Sequence, residues 1–129
     1  RAIGQALRGA AAEPVSVESI CAHGTGTSYN DAMEMKAFRR ALGDRPVPAW
    51  SVKGSIGHTL GAAGLIELVL SLRSIREETV PASAGLREPD EDAAGWVPPT
   101  PVSRPGLSTV LSTNSGFGGV NAALLLARA

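Results

Sequence analysis

The chain has 129 residues, of which 43% are apolar and 19% charged, the balance of one globular domain with its own core. Twelve basic residues offset twelve acidic ones, so no net field favours nucleic acid or an anionic membrane. No apolar run reaches the roughly 20 residues of a membrane span, and a single cysteine excludes an internal disulfide and points to a reducing, cytoplasmic setting.

Ala2, Ile3, Ala6, Leu7, Ala10 and Ala11 recur at helical spacing and form one apolar stripe. That opening lacks the continuous apolar core of a signal peptide. It reads as mid-helix, and Arg1 stands where a start methionine would, so the sequence is expected to be a piece of something longer. Glu13-Pro14 ends the helix, and Val15 to Ala22 reads as a strand running into the turn His23-Gly24-Thr25-Gly26-Thr27.

Asn30-Asp31, with Glu34 three residues past Asp31, is a variant capping box. It predicts a helix from Ala32 to Leu42, stopped by Gly43. Pro46 to Lys53 reads as extended. A second glycine-rich turn, Gly54 to His58, leads into a helix from Gly61 to Arg76 that is apolar nearly all round, and such a helix is buried on all sides. Glu67 is the exception within it, and a buried carboxylate needs a partner. Six of the nine prolines fall between Pro81 and Pro105, predicting an ordered excursion over the surface. Leu107 to Ser112 and Val120 to Leu126 read as two strands joined by a third glycine-rich turn, Asn114 to Gly119. The whole predicts an α/β layered domain, with more layers than this chain alone provides.

The chain's only two histidines sit in the first two of these turns, and Lys53 stands five residues before His58. Ligands in open α/β sheets bind where the strands end. If the turns converge, the site holds two imidazoles, an ammonium, two hydroxyls (Thr25 and Thr27) and the ring of Phe117. A nearby cation biases imidazoles towards neutrality, and a neutral imidazole still donates one hydrogen bond to an oxyanion or accepts a proton. That is equipment for carbonyl chemistry. Taken singly, each residue has a plainer reading: a histidine satisfying turn backbone, a solvated Lys53, a core Phe117, threonines bonded within their turn. The glycines match neither a P-loop nor a dinucleotide fingerprint, and two histidines without a carboxylate at metal spacing do not make a zinc site.

The motifs AHGTGTSYND, SVKGSIGHTLGAAG and NSGFGGVN resemble, in order and spacing, the three C-terminal motifs of the β-ketoacyl synthases, the thiolase-fold condensing enzymes of fatty acid and polyketide synthesis. The resemblance covers nearly the whole chain and implies a thiolase-like layered fold, C-terminal half, a mixed sheet packed with a buried helix, over residues 1–129. It implies that His23 and His58 bind the thioester oxygen and the enolate left by decarboxylation of a malonyl group. Lys53 would tune His58, and Glu34 would pair with Lys53, with Asp31 as a supporting acid. Thr25 and Thr27 would contact the phosphopantetheine arm of an acyl carrier protein, and Phe117 would gate the acyl pocket. Glu67 would belong to a buried polar cluster. No metal and no resident cofactor is implied; the partners are the carrier protein and the N-terminal half of the synthase, through which a dimer is expected. That half carries the family's nucleophilic cysteine.

Cys21, two residues before His23, shares its strand face and leaves open a cysteine-hydrolase reading, though a buried cysteine is the ordinary case. A chain-length-factor-like partner subunit and a purely structural domain also fit the pattern; retention of His23, Lys53 and His58 argues against the partner subunit.

Overall fold

The computed structural model describes residues 1–129. The N-terminal stripe folds as α1 (Ala2–Gly9), with Ile3 and Leu7 buried. Pro14 then sets a 3-10 turn, Pro14–Ser16, where the sequence predicts the start of a strand. The strand itself, β1, is Ser19–Cys21 and is buried throughout. The next helix, α2 (Ser28–Leu42), starts one turn earlier than the capping pattern predicts, on Thr27 with no side-chain cap. Glu34 makes no capping box because its carboxylate is engaged by the backbone of His23 and Gly24 instead.

The predicted extended piece shrinks to β2 (Ala49–Trp50), and Lys53 opens a short helix, α3 (Lys53–Ile56). After a 3-10 turn at Leu60–Ala62 comes α4 (Ala63–Glu77). Two short strands, β3 (Thr79–Val80) and β4 (Val102–Ser103), bracket the proline-rich excursion and pair antiparallel. The excursion is pinned by Trp96, which is buried in the core, with the Arg39 guanidinium 5.2 Å over its ring. The last two strands, β5 (Thr109–Gly116) and β6 (Val120–Ala127), form a hairpin. β5 runs further than predicted because β6 pairs with it through Gly116.

The main sheet has the order β2-β1-β5-β6, with β1 parallel to both β2 and β5, and β5 antiparallel to β6. Alternation along the strands sends neighbours to opposite faces. Ile20, Ala49 and Leu111 join Phe38 of α2 and Leu7 of α1 on one face. Cys21, Trp50 and Val110 join Ile75 of α4 on the other. The result is helices, mixed sheet, helix: the layered α/β arrangement the sequence predicts.

Within this chain α4 is covered on one side only; the expectation that it is buried on all sides calls for layers beyond this chain. The helix buries Ala63, Glu67, Ser71 and Ser74 against the sheet, while Leu65, Val69 and Leu72 face outward, 67%, 57% and 49% exposed. Its inward face mixes Glu67 and two serines with the apolar Ala63 and Ile75.

Glu18, just before β1, ties the sheet to the turn that enters β5. One carboxylate oxygen accepts the N–H groups and hydroxyls of both Ser108 and Thr109 at 2.7–3.1 Å. Burial alone raises its pKa; these four bonds overcome that and hold it below the usual carboxylate value. A depressed pKa contributes stability that is present above the unfolded value, near 4.3, and is lost as pH falls through the folded value. Glu18→Gln is expected to cost about 1 kcal/mol at pH 7, the charged-acceptor figure discounted for exposure. The gap to the parent should narrow as pH falls through the lowered folded value, as read by urea unfolding at pH 7 and at pH 3.

Candidate active site

β1, β2 and β5 run parallel, so their C-terminal ends lie at one edge of the sheet. β1 delivers His23, β2 delivers Ser51 and Lys53, and the end of β5 delivers Asn114. The geometry joins the two histidines. Their ring centroids are 5.2 Å apart with planes at 79°, an edge-to-face contact. His23 is buried and His58 exposed.

The two turns are held by separate carboxylates. Glu34, on α2, accepts the backbone N–H of His23 at 2.9 Å and of Gly24 at 2.7 Å. Asn30 Nδ2 at 3.1 Å and Thr113 Oγ1 at 3.3 Å complete its shell. Burial pushes the Glu34 pKa up, against the pull of those donors. The pairing of Glu34 with Lys53 implied by the family resemblance is therefore corrected: Lys53 Nζ bonds Glu67, in a pair that is 5% and 0% exposed at the side chains. Glu34 has no cation and is satisfied by backbone, amide and hydroxyl donors. Asn114 Nδ2 donates to the other Glu67 oxygen at 2.7 Å.

Burial holds His23 below the ordinary imidazole pKa, and the Lys53 ammonium adds to that. The cation thus bears on His23. At His58 the decisive contact is local: the Leu60 N–H donates to Nδ1 at 3.1 Å. With Nδ1 an acceptor, the neutral ring carries its proton on Nε2, which is left free to donate.

The turns also fit each other closely. A Cβ on Gly24 (φ +43) would lie 2.6 Å from Cβ of Ser51, and one on Gly54 would overlap the Ala84 carbonyl oxygen; neither position admits a side chain. Ser51 Oγ donates to the Gly24 carbonyl at 2.8 Å, and the Ser51 N–H donates to Ser83 Oγ at 3.0 Å. Ser51 and Asn114 are the residues sequence reasoning passes over. Ser51 gives no signal as a lone serine, whereas Asn114 heads a glycine-rich turn, which is a signal of its own.

Beside His58 lies a cleft of about 630 Å³ whose walls include Thr25, Gly26, Asp31, Glu34, Lys53 and His58; the buried His23 is not among its lining residues. Thr25 and Thr27 hydrogen-bond to each other through their hydroxyls at 3.1 Å, and of the two only Thr25 lines the cleft. Phe117 is not in the core, against its plainer reading: it is fully exposed on the turn between β5 and β6, and it does not line the cleft.

Cys21 is completely buried, and its thiol is pushed up to about 12 by burial first and the Glu67 carboxylate second. A nucleophilic thiol needs a depressed pKa and access, so the cysteine-hydrolase reading is corrected. In the folded protein Cys21 is expected to resist iodoacetamide at pH 8 and to label fully in urea, as followed by mass spectrometry. Rapid labelling without denaturant would reverse that assignment.

Residues 1–87 match the family described as beta-ketoacyl synthase, C-terminal domain. The chain is 43% identical over 111 residues to the tetracenomycin polyketide synthase ketoacyl synthase alpha subunit of Streptomyces glaucescens, covering 84% of this chain and 26% of that one. It is 39% identical over 124 residues to 3-oxoacyl-(acyl-carrier-protein) synthase 2 of Coxiella burnetii, covering 95% of this chain and 30% of that one. It superposes with a TM-score of 0.91 and 32% identity on a ketosynthase solved with its type II polyketide acyl-carrier protein and bound to a hexaketide, covering 98% of this chain and 32% of that one. The chain thus spans under a third of the length of each. No helix is long and apolar enough to cross a membrane.

Proposed function

This chain belongs to the β-ketoacyl synthase family, matching its C-terminal domain, and from that premise we propose that it supplies the oxyanion-binding half of a decarboxylative Claisen condensation. The substrate is a malonyl thioester on an acyl carrier protein, in fatty acid or polyketide synthesis. The observation that carries this reading is the meeting of two imidazoles, one with its Nδ1 occupied by the Leu60 N–H and its Nε2 proton free.

In this scheme the His58 Nε2–H donates to the malonyl thioester oxygen, with neutral His23 beside it. As the C–C bond to the carboxylate breaks, its electron pair moves into the thioester and the oxygen becomes an enolate. Fixed donors aimed at a developing oxyanion lower the barrier because they need no reorganisation. Carbon dioxide leaves, and the enolate carbon attacks the acyl group held as a thioester on a cysteine of the remaining two-thirds of the synthase. The acyl–sulfur bond breaks and the thiolate departs. Thr25, on the cleft wall, and its neighbour Thr27 bond the phosphopantetheine arm, and Phe117, on its exposed turn, gates the acyl pocket. The remainder of the synthase also covers the outward apolar face of α4. A chain-length-factor-like role, binding carrier protein without chemistry, makes no use of a buried lysine set to keep His23 neutral.

The test is decarboxylation and condensation, measured separately with labelled malonyl-carrier thioester in the full-length synthase containing this chain. His23→Ala and His58→Ala are each expected to lower carbon dioxide release by about 10²–10³-fold, the scale of losing an oxyanion donor. Because the His23 pKa is held low, the parent rate should persist below the pH at which an ordinary imidazole charges, near 6.5. Unchanged release in both variants would sink the assignment.

A further inference from the structure

Asn114 lies on the last turn-ward stretch of β5, with Gly64 of α4 leaving room against its amide: a Cβ there would meet Nδ2 at 3.6 Å. The Glu67 carboxylate is fully buried and has two side-chain donors, Lys53 Nζ on Oε1 and Asn114 Nδ2 on Oε2. One donor on each oxygen fixes the plane of a carboxylate. Remove the amide, and Oε2 is a buried acceptor without a partner, so the group must rotate, take up a proton or pull water in. Each of these changes what Lys53 meets. The same lysine is one of the charges that hold His23 neutral.

We infer that Asn114 is a positioning residue for the condensation: it orients Glu67 so that Lys53 stays fixed beside His23. This rests on the ketosynthase reading above. The chain of contacts runs from β5 through α4 to α3, and it ends on a group that faces the reacting oxygen without any contact between Asn114 and substrate.

The charged and titratable groups around this chain are Lys53 on α3, Glu67 on α4, and Cys21 and His23 at the end of β1, with His58 and Glu34 beyond them. Asn114→Asp puts a second carboxyl against Glu67. Two carboxyls sharing a site keep one proton to a raised pH. While that proton is present, its O–H donates as the amide did; once it is lost, the two charges repel and Glu67 leaves Lys53.

In the full-length synthase, Asn114→Asp is therefore expected to decarboxylate malonyl-carrier thioester faster, relative to the parent, at pH 6 than at pH 8.5. By pH 8.5 it should fall about tenfold below the parent, with KM little changed. A second comparison guards against a variant that does not fold: because both act on one carboxylate, Asn114→Ala and Glu67→Gln together should lose less than the product of their single losses, the contact of Asn114 with His23 supplying any remainder. Parallel pH profiles, or additive losses in the pair, overturn the role of Asn114 provided that His23→Ala is inactive. An active His23→Ala synthase overturns the ketosynthase reading itself.

Discussion

A buried ion pair, Lys53 to Glu67, is the contact around which this site is assembled. Bringing two charges out of water costs more than their attraction returns unless the remaining lone pairs are also satisfied. Here the pair closes a loop. Lys53 opens α3, Glu67 sits one turn into α4, and the stretch between them carries His58. Holding both ends fixes the loop, and the Leu60 N–H then fixes the ring. Removing either partner strands a buried charge, a loss of about 3–5 kcal/mol, so the loop cannot drift without the fold registering it.

The other histidine is held by a different principle. Glu34 has no countercharge; backbone and side-chain donors surround it. A carboxylate that accepts successive backbone N–H groups acts on the main chain, and so it sets the path of the His23-Gly24 turn rather than the field at the ring. One carboxylate therefore shapes backbone, and the other positions a cation that tunes His23. Ser51 joins the two, because its hydroxyl reaches the Gly24 carbonyl while its own chain leads to Lys53. The two turns approach so closely that glycine at 24 is a requirement of space as well as of φ.

Much of this is readable from residue types. The helical stripe of α1, the glycine turns and the three family motifs are local patterns, and the parallel strands carry the first two turns to one edge as the topology of open sheets dictates. Strand lengths are not readable. Val15 to Ser16 has strand composition, yet Pro14 ahead of it sets a 3-10 turn, and β5 gains its last residues only from pairing with β6. The partner of Lys53 is likewise hidden. Glu34 and Glu67 are both carboxylates at helical positions, and only the register of α4 against β5 decides which one the ammonium meets. Sequence spacing sees neither.

The helix α4 shows why a hydrophobic count misleads here. Its composition is that of a core helix, but Glu67 and two serines share its sheet-facing side with Ala63 and Ile75, and Leu65, Val69 and Leu72 face away. The inward serines satisfy themselves within the helix, Ser71 Oγ on the Glu67 carbonyl at 2.7 Å and Ser74 Oγ on the Ser71 carbonyl at 2.8 Å. They are small enough to let the helix lie close to β5, and that closeness is what allows Asn114 to reach Glu67. A larger apolar residue at 71 would widen the gap between helix and sheet and part the amide from the carboxylate. The mixed inner face is thus the condition for the ion pair, and the apolar outer face is its consequence: the leucines must be covered by something other than this sheet.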